Sequence, residues 1–321
     1  MFRFKPFAVT AVCALGLSLT AGCGTDRPDT PVDQPVGVAL DAPRVEVIDP
    51  GHGDKRVVDY ADIGNKQAVT ARVSEGFSQD MLRAVAVDGF TAKNMDEHTT
   101  VLPLSGETKE ATDDEKQAPA TRNVFFTVRE PSIEGKDAPD VSTADGFQVG
   151  WRATDDGAAS TLRLAAPQDA DDEARATAEK AMTKLISLPV VFPEEEIGEG
   201  AKWTVDSRVT GEATLLQTAT YTVQKLDDAA VQLNVDIDQR PSLGALSFGA
   251  EAEGTELEGK ELEVQSSKSD STGTLEVDLS KPLPISGNVE VTTKVVYGTD
   301  DSQLRVVQSS ATGIEFSAED D

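Results

Sequence analysis

Val231-Gln232-Leu233-Asn234-Val235-Asp236-Ile237-Asp238 sets an apolar side chain at every second position and a polar one between. Successive side chains of a strand point to opposite faces, so this octet reads as a β-strand with one dry and one wet face. The same period returns in Trp203/Val205, Leu275/Val277/Leu279, Val289/Val291/Val295 and Leu304/Val306. Turn chemistry falls between the runs at Asp227-Asp228, Ser286-Gly287-Asn288 and Gly298-Thr299-Asp300-Asp301. Alternating strands joined by short turns predict an antiparallel meander, and roughly 7 to 12 residues between turns predict long strands forming a curved sheet or half-barrel. The expected fold is mainly β with one amphipathic helix, an α+β arrangement.

That helix is the segment 169–187. Ala174, Ala178, Ala181, Met182, Leu185 and Ile186 fall on one side of a 3.6-residue period. Asp169, Asp171, Asp172 and Glu173 crowd its start, Lys180 and Lys184 its end, and Pro189 follows, all in agreement with the helix dipole. The apolar stripe suits a helix packed on the concave face of a sheet, and it also suits a lid over an apolar cavity. In the second case Trp151, Met182, Leu185, Phe192 and Trp203 are the candidate pocket lining; in the first they are plain core.

An echo joins Ile63-Gly64-Asn65-Lys66-Gln67-Ala68-Val69-Thr70 to Ile197-Gly198-Glu199-Gly200-Ala201-Lys202-Trp203-Thr204-Val205, each an Ile-Gly, a polar turn and a strand. The β-rich region 44–317 is therefore read as one domain, or as two related halves, 44–166 and 188–317, joined by the helix. Residues 318–321 form an acidic tail. The stretch 107–120 lacks apolar periodicity and reads as a solvated loop, and 251–263 as an acidic loop running into a strand edge.

The amino terminus supplies the address. A basic start (Arg3, Lys5), an apolar run from Phe7 to Leu19 and small residues before Cys23 make residues 1–22 a secretory signal, too short for a permanent span. Leu19-Thr20-Ala21-Gly22-Cys23 resembles the bacterial lipobox, which implies a diacylglyceryl group on the Cys23 thiol as the first mature residue. Residues 24–43 hold four Pro and four Asp and no aromatic, the composition of an extended tether. Cys13 leaves with the signal, so the mature chain keeps no disulfide and no free thiol for metal or nucleophilic chemistry.

The chain has 321 residues and a formal charge of −28; losing Arg3 and Lys5 with the signal takes it to −30. Nucleic acid and anionic lipid headgroups demand basic surfaces and are excluded as partners, so attachment to a membrane falls to the N-terminal lipid. The expected location is the extracytoplasmic face of the cell membrane. Two histidines and two cysteines leave little for Cys/His catalysis or zinc modules.

Asp49-Pro50-Gly51-His52-Gly53-Asp54 resembles the zinc-binding opening of cell-wall amidases. Those enzymes pair that His with a nearby Glu and a second His, whereas here the next Glu is Glu75 and the other His is His98. The string is read instead as a turn in which Gly51 and Gly53 supply positive φ. No Gly-x-Ser-x-Gly elbow, Ser-x-x-Lys pair, phosphate-binding glycine loop or EF-hand loop occurs, so no catalytic residue, metal site or cofactor is assigned. Acid pairs such as Asp155-Asp156, Glu194-Glu195-Glu196 and Asp236-x-Asp238 are expected by chance among 57 acids.

Phe192-Pro193-Glu194-Glu195-Glu196-Ile197-Gly198-Glu199-Gly200-Ala201-Lys202-Trp203, together with Val45-Glu46-Val47-Ile48-Asp49-Pro50-Gly51, resembles an uncharacterised family of secreted actinobacterial lipoproteins of unknown function. The resemblance implies a β-rich fold from about Val45 to Phe316 and carries no catalytic residue. Long alternating strands, one amphipathic helix and a lipid anchor are similar to half-barrel lipid carriers of bacterial envelopes. Two functions are expected on these grounds: a non-enzymatic lipoprotein binding or carrying a hydrophobic or amphiphilic ligand, or a structural or protein-interaction module of the envelope with no small-molecule ligand.

Overall fold

The computed structural model describes residues 30–93, 95–112, 118–209, 215–247 and 255–318; the signal peptide, Cys23 and residues 319–321 lie outside them. The chain opens with β1 (Val36–Ala39), β2 (Arg44–Asp49) and β3 (His52–Arg56). A first meander contains β4 (Lys66–Arg83), β5 (His98–Glu110), β6 (Arg122–Val128), the short β7 (Ser132–Ile133), β8 (Gln148–Ala153) and β9 (Ala159–Ala165). The helix α1 (Asp172–Ile186) leads to β10 (Ile197–Glu199). A second meander follows as β11 (Lys202–Val209), β12 (Leu215–Leu226), β13 (Ala230–Pro241), β14 (Ala245–Ser247), β15 (Glu261–Asp278), β16 (Ser286–Gly298) and β17 (Leu304–Ala318).

Apart from β3 and β10, which pair with each other, these strands form one antiparallel sheet in the order β1-β9-β8-β6-β5-β4-β17-β16-β15-β13-β12-β11-β2, with β7 and β14 as branches. Strand accounts for 57% of the described residues and the sheet is curved and unclosed. The expected fold class is the one observed. Only residues 40–43 connect β1 to β2, a reach of at most about 18 Å, so the opposite ends of the sheet are drawn round towards each other.

The two echo sequences lead into β4 and β11, the first long strand of each meander. Both meanders then lay their strands down in the same sense across the sheet. They meet where β4 pairs with β17 along the register from Leu304↔Arg83 to Ala318↔Val69. Side chains from both meanders share one core cluster, from Val69 and Val124 to Leu233 and Val289. The halves are two arms of a single sheet.

Alternation decides the inner face. β13 buries Val231, Leu233, Val235 and Ile237 and exposes the polar residues between them. The helix buries Ala174, Ala178, Ala181, Met182 and Leu185 against the concave side. It begins later than the acid-rich run predicts: Asp171 is its cap, the carboxylate accepting from the Ala174 amide at 2.8 Å. Asp169 and Ala170 belong to the preceding turn, closed by the Ala170 amide on the Pro167 carbonyl. An Asp that caps a helix end holds its charged form, and the Asp171 carboxyl is accordingly shifted below its ordinary range, chiefly by that bond.

Three further expectations are corrected. Of the tether, residues 24–43, the described part runs along the sheet: Val32 bridges Pro167, β1 pairs with β9 from Val36↔Leu164 to Ala39↔Thr161, and Asp33 meets Arg175 at 2.8 Å. A strand edge supplies main-chain partners, so a segment that buries few side chains is still held. The loop at 107–120 starts only after Glu110, because β5 continues through Glu107, Thr108 and Lys109 in pairing with β6. At the other end β17 takes in Ala318, the first residue assigned to the tail.

Candidate functional site

The five residues expected to line an apolar pocket do converge, in the trough between sheet and helix, but as packed core. Trp151 comes from β8, Met182 and Leu185 from α1, Phe192 from the segment after the helix, and Trp203 from β11; all five are buried in one cluster. An aromatic chain fills the space. Tyr60 lies 5.6 Å from Phe192, Phe192 6.0 Å from Trp203, and Trp203 stacks on Tyr221 at 5.4 Å, while Phe126 stacks on Trp151 at 5.8 Å. Each polar tip finds a carbonyl: Trp203 Nε1 donates to Val191 at 2.8 Å and the Tyr221 hydroxyl to Pro189 at 2.7 Å. Burial pushes the Tyr60 and Tyr221 hydroxyls far above their ordinary titration range. The hollow left beside Trp151 and Leu185 measures about 50 Å³. An acyl chain needs several times that space, since ligand pockets run from about 300 Å³ upwards.

A charged pair invisible in the sequence sits inside this core. Arg122 on β6 grips Asp62 with Nε at 2.7 Å from Oδ1 and Nη2 at 2.6 Å from Oδ2. The Thr108 hydroxyl donates to the same carboxylate at 2.7 Å, and the guanidinium lies 4.2 Å above the Tyr60 ring. Both side chains are almost fully buried. The two side chains hold each other by two bonds, Thr108 adds a third to the carboxylate and Arg122 Nη1 reaches the Thr154 carbonyl at 3.3 Å, so the pair reads as a structural tie between the segment before β4 and the strand β6.

Farther along the concave face the apolar lining is interrupted. Gln217, Gln239 and Thr293 are buried and joined in a row: Gln239 Nε2 donates to Gln217 Oε1 and the Thr293 hydroxyl to Gln239 Oε1, both at 2.8 Å. Gln217 reaches the end of the helix through the Ser187 carbonyl at 3.0 Å. This polar waist separates the main core from a second apolar cluster of Leu257, Leu262, Val295, Tyr297 and Val306. Main-chain pairing of β13 with β15 ends at Asn234↔Thr274. Beyond it the Ser269 and Ser271 hydroxyls accept from the Gln239 and Ile237 amides in place of the ladder. At the waist the trough opens into a cleft of about 100 Å³ whose lining includes Glu75, Phe77, Asp96, His98, Lys180, Lys184, Gln239 and Tyr297.

The chain matches no family model and no curated protein.

Of the amidase-like string only Pro50-Gly51 is the turn; Asp49 ends β2 and His52, Gly53 and Asp54 open β3. Gly51 and Gly53 have φ of 74° and 77°, and a Cβ on Gly51 would lie 2.5 Å from the Glu199 carbonyl oxygen. Glycine is required there because the turn packs on the strand pair β3–β10. His52 stands on β3 and His98 at the start of β5. Among the described residues no three His, Cys, Asp or Glu side chains gather to hold a metal. Cys23, the lipid attachment residue of the sequence reading, lies outside the described residues.

Proposed function

We propose that this chain is a membrane-anchored lipoprotein of the cell envelope, tethered through Cys23 on the extracytoplasmic face, and that it acts without catalysis as a protein-interaction module. The observation that carries this over the acyl-carrier reading is the filled trough: the residues expected to line a cavity touch one another. What remains for recognition is the outside of the sheet. Among the described residues β1 pairs only with β9 and β2 only with β11, so each keeps an unpaired edge. Val36 and Val38 on β1 are 65% and 50% exposed and Ile48 on β2 is 58% exposed. Unpaired edges carrying apolar side chains are where an extended partner strand adds on, main-chain bonds giving affinity and side chains specificity.

The test places a photo-crosslinking residue at Val38 and, as control, at Val85, which is 88% exposed away from either edge. A discrete protein adduct at position 38 and none at 85 is the expected result. Equal labelling at both positions would sink the interaction reading. Native mass spectrometry of the lipidated protein from its own host should give the chain with lipid on Cys23 alone. A second, denaturation-sensitive amphiphile of acyl-chain mass would return the carrier reading to first place. Separately, Cys23→Ala is expected to move the protein from the membrane fraction to the medium; retention with the membrane would refute the anchor.

A further inference from the structure

The waist cleft is the place on the concave face where side chains of both charges meet an apolar wall. Lys180 and Lys184 are one helical turn apart on α1 and both line it. Glu75 faces them from β4 and Asp96 from the segment before β5, whose amide bonds the Phe77 carbonyl at 3.2 Å. Val295 and Tyr297 belong to its apolar lining, and the buried Gln239 side chain to its polar lining.

Three features restrict what such a cleft accepts. The volume of about 100 Å³ admits a few heavy atoms and excludes an acyl chain. The acids and the lysines nearly cancel, in a protein whose overall charge is −28, so neither a simple anion nor a simple cation is favoured. Lys180 is already bonded to Glu75, whose side chain is only 11% exposed. An anion that drew Lys180 away would strand Glu75, a costly outcome for a group so little exposed, whereas a cation at Glu75 would displace a Lys180 that is 45% exposed and keeps its water. A ligand bearing both charges would separate the pair and satisfy each half.

We propose that the waist cleft binds a compact zwitterion, its cationic end at Glu75 and Asp96, its anionic end at Lys180 and Lys184, and a short apolar group against Val295 and Tyr297. This site is independent of the strand edges invoked above. A free α-amino acid and the headgroup of a zwitterionic phospholipid share that chemistry.

The experiment is calorimetric titration of the mature chain, made soluble by Cys23→Ala, with L-valine, and co-sedimentation of the same chain with phosphatidylethanolamine vesicles. Saturable binding of valine identifies a free zwitterion as the source; vesicle binding without valine binding identifies the headgroup; either supports the site. Sodium butyrate and butylamine, each with one of the two charges, are expected to bind at least tenfold more weakly than valine. Lys184→Met and Glu75→Gln are each expected to weaken binding at least tenfold, with thermal unfolding retained as evidence of an intact fold. No binding to either probe at millimolar concentration, equal binding of the one-charge compounds, or unchanged affinity in both variants would overturn the proposal.

Discussion

Asp62→Asn is expected to destabilise the protein by about 3–5 kcal/mol, the range for breaking a buried ion pair from one side. The reason lies in what is left behind. Arg122 does not deprotonate, so its charge stays in the core once the carboxylate is gone. The amide that replaces the carboxylate would offer one carbonyl oxygen where three donors now converge: Arg122 Nε, Arg122 Nη2 and the Thr108 hydroxyl. The other contacts of Arg122, the Tyr60 face and the Thr154 carbonyl at 3.3 Å, do not supply a negative charge. Urea unfolding should show a lower midpoint with unchanged slope. The double change Asp62→Leu with Arg122→Met removes both charges and is expected to recover most of the loss, because a buried pair can be replaced by apolar groups at little cost. A loss below about 1 kcal/mol in the single variant would mean that water reaches the pair and that the core is looser than its packing indicates.

Trp203→Ala is expected to cost about 3–5 kcal/mol, the usual range for deleting a buried aromatic. Its indole is fully buried between Phe192 and Tyr221, and its N–H satisfies the Val191 carbonyl. The variant loses the stacking, opens a void and strands that carbonyl. The measurement also decides between functions. Were Trp203 the wall of a ligand cavity, truncation would enlarge an existing space and cost far less, and the variant would take up amphiphile more readily. Unfolding free energy within about 1 kcal/mol of wild type, with increased binding of a fluorescent apolar probe in the native state, would therefore count against the packed-trough reading.

The filled trough and the polar waist give the concave face two different characters. Near the helix it is a core that holds the two arms together. The link is visible in the pairing of Gln67 with Leu283, where the side-chain amide and carbonyl meet the main-chain carbonyl at 2.9 Å and amide at 3.0 Å. Toward the second cluster, hydroxyls and amides replace apolar contacts and a strand ladder gives way to serine side chains. Buried polar groups cost stability unless they are paired, and here the row of Gln217, Gln239 and Thr293 is paired throughout.

The waist itself is legible in part. Along β13 the inward positions run Val231, Leu233, Val235, Ile237 and then Gln239, and along β16 Val289, Val291, Thr293 and Val295. The period-two pattern that marks the dry face also marks the residues that break it. Lys180 and Lys184 read in sequence only as complements of the helix dipole, and of the two only Lys184 stands in the last turn; nothing local indicates that Glu75, over a hundred residues earlier, stands opposite them. His98, one of two histidines in the sequence, lies across from Glu75 in the register of β4 and β5.

By itself, then, the sequence determined what depends on near neighbours along the chain: strands where apolar residues alternate, a helix where they recur every three to four, turns where glycine and aspartate cluster, and which face of each element seeks the core. Those properties are set within a few residues, by the geometry of the backbone and the exclusion of apolar surface from water. Only the tertiary structure decided which strands are neighbours, that the chain's first strands lie on opposite ends of the sheet, and that the pocket residues fill their own pocket. It alone selected Asp62 as the buried acid among the described residues. Pairings such as Asp62 with Arg122 and Glu75 with Lys180 arise from closure of the whole sheet, and the energy that selects them comes from contacts between residues with no local relation.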